Sequence, residues 1–166
     1  MTDTAGTVTR LDRVILEGEP PNNLSPYIEA DRQQAVADLA AANHFAVLIG
    51  SAPPGPYALH LSIQEGSLVF DIRDVAGAKL TAVGLALGPF RRLVKDYQLL
   101  VDSHIKAVEE GREQRIQAID MGRRGLHDEG AELMTLRLAG KIDIDFDTAR
   151  RLFTLVCVLH QRISSR

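Results

Sequence analysis

The sequence predicts an α+β fold, in which an antiparallel β-meander of about four to five strands has one face covered by helices. In the front half of the chain, large apolar residues alternate with smaller or polar ones, which is typical of strands. In the back half, apolar residues recur every three or four positions, which is typical of amphipathic helices. We therefore expect an N-terminal helix and a C-terminal cluster of three to four helices on that face.

Size and composition are those of one globular domain. The chain has 166 residues, of which 45% are hydrophobic and 25% are charged, and this is enough to build a core. We expect a disordered tail over residues 1–9 and a single α+β domain over residues 10–166. The one cysteine, Cys157, excludes an internal disulfide and a multi-cysteine metal site, and it fits a reducing cytoplasm.

Charge and hydropathy narrow the range of partners. The net charge of −3 argues against a sequence-blind nucleic-acid binder, because such proteins usually carry a basic excess. No apolar run reaches the ~18 residues that a membrane-spanning helix needs, and residues 1–9 lack the pattern of a signal peptide. We therefore expect a cytoplasmic protein with no nucleic-acid partner, no membrane partner and no cofactor.

The first strand, the first helix and a second strand are expected before residue 50. A strand is expected near Leu11. Ser25 and Pro26 predict a helix start, because serine is a favoured N-cap and proline a favoured first helical residue. This helix is expected to run to about Ala42. Residues 45–49 predict a buried strand, and we expect it, like the strand near Leu11, to extend the meander.

The meander itself is the clearest pattern in the sequence. Residues 57–63 and 68–72 each alternate with a period of two. A two-residue turn at 65–66 pairs these strands so that their large apolar side chains share one face. A second turn at 76–77 adds a third strand, and a slip of one residue would reverse the faces, so the register is well specified.

The opposite face of the meander carries polar side chains. In this register His60 lies opposite Asp71, with Ser62 and Arg73 on the same side. A histidine beside a carboxylate can act as a base, and serine, histidine and aspartate are the residue types of a hydrolase triad. The sequence contains no strained nucleophile turn, which favours the alternative of a solvated cross-strand pair. We keep His60, Asp71 and Arg73 as secondary site candidates.

Three helices follow the meander. The first is expected over residues 89–110. The second begins at residue 113 and contains three glycines between residues 122 and 130. Either small residues, including Gly122 and Gly125, form a flat face for close helix packing, or the helix breaks there and restarts near Asp128. The unbroken phase of the apolar stripe favours the continuous helix.

The last helix is expected over residues 146–161, after a short strand or extended link over residues 141–145. It is apolar nearly all round, which predicts a central position, and Asp145 is its expected N-cap. The aspartates of this region imitate the start of a calcium-binding loop. The glycine that such a loop requires at its sixth position is missing, so we expect no metal site.

Three arginine doublets lie in the helical half of the chain, and they are Arg91-Arg92, Arg123-Arg124 and Arg150-Arg151. A guanidinium group is planar, always charged, and able to bind carboxylate or phosphate through two parallel hydrogen bonds. The first doublet lies in the first turn of a helix, where cations are unfavourable. It therefore requires an anionic neighbour, which could be Asp96 or a bound anion.

The candidate anion site contains Arg91, Arg92, Lys95, Arg123, Arg124 and His127, with Arg150 as a secondary candidate. The partner would be an anionic small molecule, carrying phosphate or carboxylate, or an acidic segment of another protein. The alternative function is a small metal-independent enzyme, with His127 or His60 as the acid or base. Against both, the 22 acidic residues are enough to pair every arginine internally. Base rates favour a homodimer.

Five runs of the sequence form specific blocks in a fixed order, and they are LHLS at 59–62, LVFDIR at 68–73, PFRRLVKDY at 89–97, IDMGRRGLH at 119–127 and DFDTARRLF at 145–153. These runs resemble the signature blocks of the uncharacterised protein family UPF0262 of alphaproteobacteria, and the similarity covers about residues 10–162. The resemblance implies a bacterial cytoplasmic protein of unknown biochemical activity. It carries over no catalytic or binding residue.

Overall fold

The computed structural model describes residues 9–18 and 25–164. The elements of this part of the chain are, in order, β1 (Leu11–Leu16), α1 (Pro26–Ala41), β2 (Phe45–Val47), β3 (Tyr57–Gln64), β4 (Ser67–Asp74), β5 (Lys79–Ala86), α2 (Arg91–Glu109), α3 (Glu113–Leu138), β6 (Ile142–Ile144) and α4 (Phe146–Ser164). This confirms the α+β class. The expected tail lies outside the described residues except for Thr9, which is buried and accepts a backbone hydrogen bond from Phe45.

The meander of β3, β4 and β5 is confirmed, with Leu61 opposite Phe70. Its first turn uses Glu65 and Gly66 at φ angles of 50° and 78°, the positive pair that matches the twist of a hairpin. The second turn differs in one detail. An irregularity after Ile72 places Lys79 opposite Arg73, whereas the simple turn would have paired it with Asp74.

The other two strands of the N-terminal half, β1 and β2, belong to different sheets. β1 extends the sheet, which has the order β1-β3-β4-β5, but it runs parallel to β3. A parallel neighbour needs a crossover connection, and α1 lies in that connection. The expectation that β2 joins this sheet is wrong, because β2 pairs with β6 in a separate two-stranded sheet. The large sheet is therefore mixed and not a pure meander.

The helices cover the apolar face of the sheet, as expected. Leu59, Leu61, Phe70 and Ile72 on that face are completely buried. α4 is the central helix, since every residue from 152 to 159 is buried, and it packs against both α1 and α3. Two expected N-caps are present, because Ser25 accepts from the backbone of Ile28 and Asp145 accepts from that of Thr148.

The glycine-containing helix is continuous over residues 113–138. This confirms the unbroken helix that the phase of its apolar stripe favoured. The reason for its glycines is different from the expected one. A Cβ atom at Gly122 would lie 3.6 Å from Leu100, an ordinary contact, and one at Gly125 would meet nothing within 4 Å. A Cβ atom at Gly130 would lie only 2.3 Å from Cγ of Phe153. Close packing therefore requires glycine at Gly130, where α3 meets α4.

Candidate functional site

Two of the three arginine doublets meet in one cleft between α1, α3 and α4. The cleft has a volume of about 240 Å³, and its walls are formed by Asp31, Gln34, Ala35, Asp38, Arg123, Arg124, His127, Arg150, Arg151 and Thr154. Each helix contributes residues three or four positions apart, which is the spacing that places side chains on one face. The cleft is therefore the joint product of three helix faces.

Positive charge predominates in this cleft. Its walls carry four arginines and two aspartates. Nε of Arg151 lies 3.5 Å from Oδ2 of Asp38, which is longer than the ~2.7–2.9 Å of a strong charge-assisted hydrogen bond. Arg124 is exposed, and it makes no ion pair or hydrogen bond with any residue that the structure describes. Arg151 therefore has Asp38 as a counter-ion at a longer distance, whereas Arg124 has none among the described residues.

Arg150 also has unused hydrogen-bonding capacity. Its Nε atom lies 3.1 Å from Oδ1 of Asp128. The same Nε is nevertheless a buried nitrogen with no hydrogen-bond partner, because the carboxylate lies off the direction of the N–H bond. The charges attract at this distance, but a misaligned hydrogen bond is weak. Arg150 thus has Asp128 as a counter-ion, but its Nε–H group donates no well-aligned hydrogen bond.

Arg123 is held by a network at the base of the cleft. Its Nη1 donates to the hydroxyl of Tyr27 and lies 3.4 Å from Oδ1 of Asp31, while Tyr97 donates to Oδ2 of Asp31 at 2.6 Å. Burial, with Asp31 second, raises the pKa of Tyr97 far above its usual range, so Tyr97 stays a neutral donor. Burial opposes the charge of Arg123, but Asp31 and Tyr27 outweigh it and raise the Arg123 pKa. Arg123 is therefore a fixed cation.

His127 lies beside this network and is only 7% exposed. Its Nδ1 lies 2.8 Å from the backbone oxygen of Arg123, and since a carbonyl oxygen can only accept, Nδ1 carries the proton. Burial lowers the pKa of His127 from its ordinary value of 6.5, and together with the charges of Arg123 and Arg150 it outweighs the hydrogen bond to the Arg123 carbonyl and the charge of Asp31, which raise the pKa. The imidazole is therefore neutral at neutral pH, with the acceptor lone pair on Nε2.

Nε2 is the ring nitrogen of His127 that makes no hydrogen bond with the described residues, and it is not one of the buried unsatisfied atoms among them. His127 itself is one of the residues that line the cleft. The ring is fixed by edge contacts with Tyr97 and Phe153, at centroid distances of 6.0 and 5.7 Å.

The other sequence candidates lie outside the cleft. Arg92 is paired with Asp96 at 3.2 Å and with Glu129 at 2.8 Å, so its anionic neighbours come from the protein itself, and Asp96 is the one that the sequence suggested. Arg91 lies near His160, whose pKa is lowered by burial and by this positive charge. Lys95 is exposed on α2. The structure does not bring these three residues together with the other two doublets.

The polar face of the sheet forms a larger groove of about 600 Å³. His60 lies opposite Asp71, as expected, but its ring bonds to Glu17. Asp71 accepts two hydrogen bonds from Arg73, at 2.8 and 3.2 Å. The histidine, the serine and the aspartate of this face are therefore not linked as a triad. The groove is larger than the arginine cleft, but His60, Asp71 and Arg73 are bonded to Glu17 or to each other.

Several residues of the cleft were missed from sequence. Asp31, Gln34 and Asp38 form a polar stripe on α1 with helical spacing, and such a stripe is usually solvated. The helical spacing of these residues is visible in the sequence. Only the packing of α1 against α4 shows that the polar stripe lies in the wall of the cleft. Across the described ranges, no three histidine, cysteine, aspartate or glutamate side chains are grouped as metal ligands. Over the same ranges, no helix is both long and apolar enough to cross a membrane.

Comparison with known proteins gives one family and several close relatives. A family profile described as "Uncharacterised protein family (UPF0262)" matches residues 8–162. A UPF0262 protein of Granulibacter bethesdensis is 69% identical over 160 residues, covering 93% of this chain and 91% of that protein. Another, of Acidiphilium cryptum, is 59% identical and covers 98% of this chain and 99% of that protein. No solved structure matches the chain significantly.

Proposed function

The chain belongs to the uncharacterised protein family UPF0262, and we propose that it is a binding module whose arginine cleft holds a small anion. The observation that carries this proposal is Arg124. It lies in the wall of the cleft without an ion pair or hydrogen bond among the described residues. An arginine held beside three others experiences their repulsion, and a phosphate or carboxylate group in the cleft would relieve it.

The size of the cleft indicates the kind of ligand. Its volume of about 240 Å³ lies just below the ~300–1,000 Å³ of sites for drug-sized molecules. A phosphate group, or a small metabolite that carries phosphate or carboxylate, fits this space. The acidic segment of a partner protein, which the sequence left open, is less favoured because it would need a longer groove.

The charges in the cleft favour an anion over a cation. Four arginines oppose two aspartates, and burial keeps His127 neutral. The long Arg151–Asp38 pair and the misaligned Arg150–Asp128 pair leave guanidinium donors unused. A bound oxyanion accepts several such hydrogen bonds at once, as guanidinium forks commonly provide.

A second candidate function is a small metal-independent enzyme that acts on such an anion. His127 favours it, because Nε2 presents a lone pair to the cleft while the Nδ1 bond to Arg123 holds the ring. A base held by a second group is what general acid–base catalysis requires. Thr154 is not available as a nucleophile, since its hydroxyl donates to the backbone of Arg150 at 3.1 Å. Chemistry would therefore be limited to proton transfer on the ligand or on water.

A thermal-denaturation series tests the binding proposal. The wild type, Arg124→Gln and the control Arg137→Gln are heated with inorganic phosphate, phosphorylated metabolites and small carboxylates. Arg137 is an exposed arginine of the same helix that does not line the cleft. At 100 times the Kd, a ligand adds ~2.7 kcal/mol of stability, or roughly 5–11 °C in Tm for a chain of this size.

We expect a ligand of this panel to raise the Tm of the wild type and of Arg137→Gln, and to have a much smaller effect on Arg124→Gln. No shift with any anion, or an equal shift in Arg124→Gln, would overturn the proposal. The enzyme alternative additionally requires turnover of the bound ligand that is lost in His127→Gln. Binding without turnover would leave the binding module alone.

A further inference from the structure

We propose that the cleft selects anions that carry a hydroxyl hydrogen-bond donor, such as hydrogen phosphate, over anions that can only accept, such as sulfate. This inference rests on the proposed function and names the ligand class of the same site. It comes from the combination of hydrogen-bonding groups in the cleft. Four guanidinium groups supply donors. Among the acceptors in the walls, the carboxylates of Asp31 and Asp38 already accept hydrogen bonds, whereas Nε2 of the buried His127 has no hydrogen-bond partner among the described residues.

The guanidinium groups do not distinguish one oxyanion from another. Arginine side chains carry five N–H donors and no acceptor. They bind the oxygens of sulfate, phosphate and carboxylate in the same way, so the four arginines explain why the ligand is an anion. Any discrimination between anions of equal charge and similar size must come from another group in the walls.

His127 is that group, because its two nitrogens have fixed and opposite roles. Nδ1 donates to the backbone oxygen of Arg123 at 2.8 Å, so the proton of the neutral ring is already used. Nε2 therefore presents only a lone pair to the cleft. A ligand oxygen that reaches this atom must bring its own proton, since two lone pairs facing each other repel.

If Nε2 of His127 were protonated, the ligand would not need a proton of its own. The surroundings of the ring oppose this protonation. The ring contacts Tyr97 from α2 and Phe153 from α4, and the charges that act on it are those of Asp31 from α1, Arg123 from its own helix and Arg150 from α4. Two of them are cations and one is an anion, which is itself bonded to Tyr97 and Arg123. The buried ring is therefore neutral before an anion binds, and the selection requires Nε2 to remain an acceptor when the anion is bound.

Hydrogen phosphate and sulfate form a matched pair for this test. At pH 8 both are mainly divalent tetrahedral oxyanions, because the second ionisation of inorganic phosphate is largely complete at that pH. Only hydrogen phosphate keeps a hydroxyl proton. A buried acceptor left facing another acceptor weakens binding roughly ten- to hundredfold, and this is the ratio of dissociation constants that we expect for sulfate over phosphate.

Isothermal titration calorimetry at pH 8 and constant ionic strength measures both anions on the wild type and on His127→Phe. Phenylalanine retains a ring against Tyr97 and Phe153 but removes Nε2. We expect the wild type to bind phosphate ten- to hundredfold more tightly than sulfate, and we expect His127→Phe to bind the two about equally. If the variant does not fold, imidazole ¹⁵N shifts of the wild type at phosphate saturation must show a neutral ring protonated at Nδ1.

The outcomes separate this inference from the proposed function. Equal binding of sulfate and phosphate by the wild type would overturn the selection and leave the anion-binding cleft intact. A preference for phosphate that persists in His127→Phe, or an imidazole that becomes protonated when phosphate binds, would overturn the role of His127. Binding of neither anion would overturn the selection together with the anion-binding cleft for these probes.

Discussion

Nδ1 of His127 donates a hydrogen bond to the backbone oxygen of Arg123 at 2.8 Å, one helical turn earlier in α3. This bond fixes the tautomer of the neutral histidine, so Nε2 is its acceptor nitrogen. It also ties the ring to the residue whose guanidinium is held by Asp31 and Tyr27. One donor of the candidate site, Arg123, and its histidine acceptor are thus linked within a single helix.

The contact between Gly130 and Phe153 gives a prediction about stability. Gly130→Ala places a methyl group 2.3 Å from the Phe153 ring, and the ring is completely buried. Overpacking of this kind typically costs about 1–3 kcal/mol, so the free energy of unfolding in urea should fall. The matched control is Gly125→Ala on the same helix, where the added methyl meets nothing within 4 Å.

Gly125→Ala should stabilise the protein by about 0.5–1 kcal/mol, because alanine is the better helix former. Equal stability of the two variants would show that α3 and α4 are not as close at Gly130 as the structure has them.

Tyr97 and Asp31 give a second prediction. Tyr97→Phe removes the hydroxyl that donates to Oδ2 of Asp31 at 2.6 Å, and the Asp31 side chain is only 13% exposed. Loss of a partner to a largely buried carboxylate should lower the free energy of unfolding by about 1–3 kcal/mol. Because both residues belong to one hydrogen bond, the double variant with Asp31→Asn should lose less than the sum of the single losses. Strict additivity in chemical denaturation would contradict the network.

The acid side of the stability profile gives a third prediction. The pKa of His127 is lowered in the folded protein, mainly by burial, from an ordinary value of 6.5. Below about pH 6.5 the unfolded chain therefore binds a proton that the folded chain does not. The stabilisation that comes from the neutral His127 is fully present above that pH. It is lost as the pH falls toward the pKa of His127 in the folded protein.

The measurement is urea denaturation across a series of pH values. His127→Phe should flatten the acid slope by up to ~1.4 kcal/mol per pH unit. The pKa of His160 is also lowered by burial, so the slope should fall further when His160→Gln is added to this variant. An unchanged slope in His127→Phe would show that His127 is not neutral and buried in the folded state.

The ion pairs of Arg92 provide a fourth prediction. Arg92 is 68% exposed, and it pairs with Asp96 and Glu129, which are also substantially exposed. Exposed pairs contribute little, typically about 0–1 kcal/mol. Arg92→Gln should therefore change the free energy of unfolding by less than about 1 kcal/mol and leave phosphate binding unaltered. A large loss of phosphate affinity in this variant would place the anion site at the start of α2.

The strands show which part of the fold could be predicted from sequence. The faces and main register of β3, β4 and β5 follow from a period of two and from short turns, which are local properties. The parallel pairing of β1 and the pairing of β2 with β6 depend on where helices place strands that are distant in sequence. The apolar residues 45–49 indicate a buried strand but specify no partner, so β2 was assigned to the wrong sheet.

The candidate site was also predicted only in part, because some of its residues are identified by tertiary packing alone. Arg123, Arg124, His127 and Arg150 were identified from residue type and position, and they lie in one cleft. The helix-dipole argument ranked Arg91 and Arg92 highest, but it could not show that Glu129 of α3 would reach Arg92. Asp31 and Asp38 were missed because a polar helix face has the same pattern whether it faces solvent or a cleft. The homodimer expected from base rates stays a prediction, which sedimentation equilibrium would test.

The most direct measurement of the central claim is a titration of the ¹⁵N-labelled protein with inorganic phosphate, followed by NMR. We predict that the largest saturable shifts occur at the Nε–H groups of Arg124 and Arg150 and at the backbone amides of residues 123–127 and 150–154. The amides of residues 91–95 should move little. Shifts centred on residues 91–95, or no saturable shift in the cleft, would contradict the account.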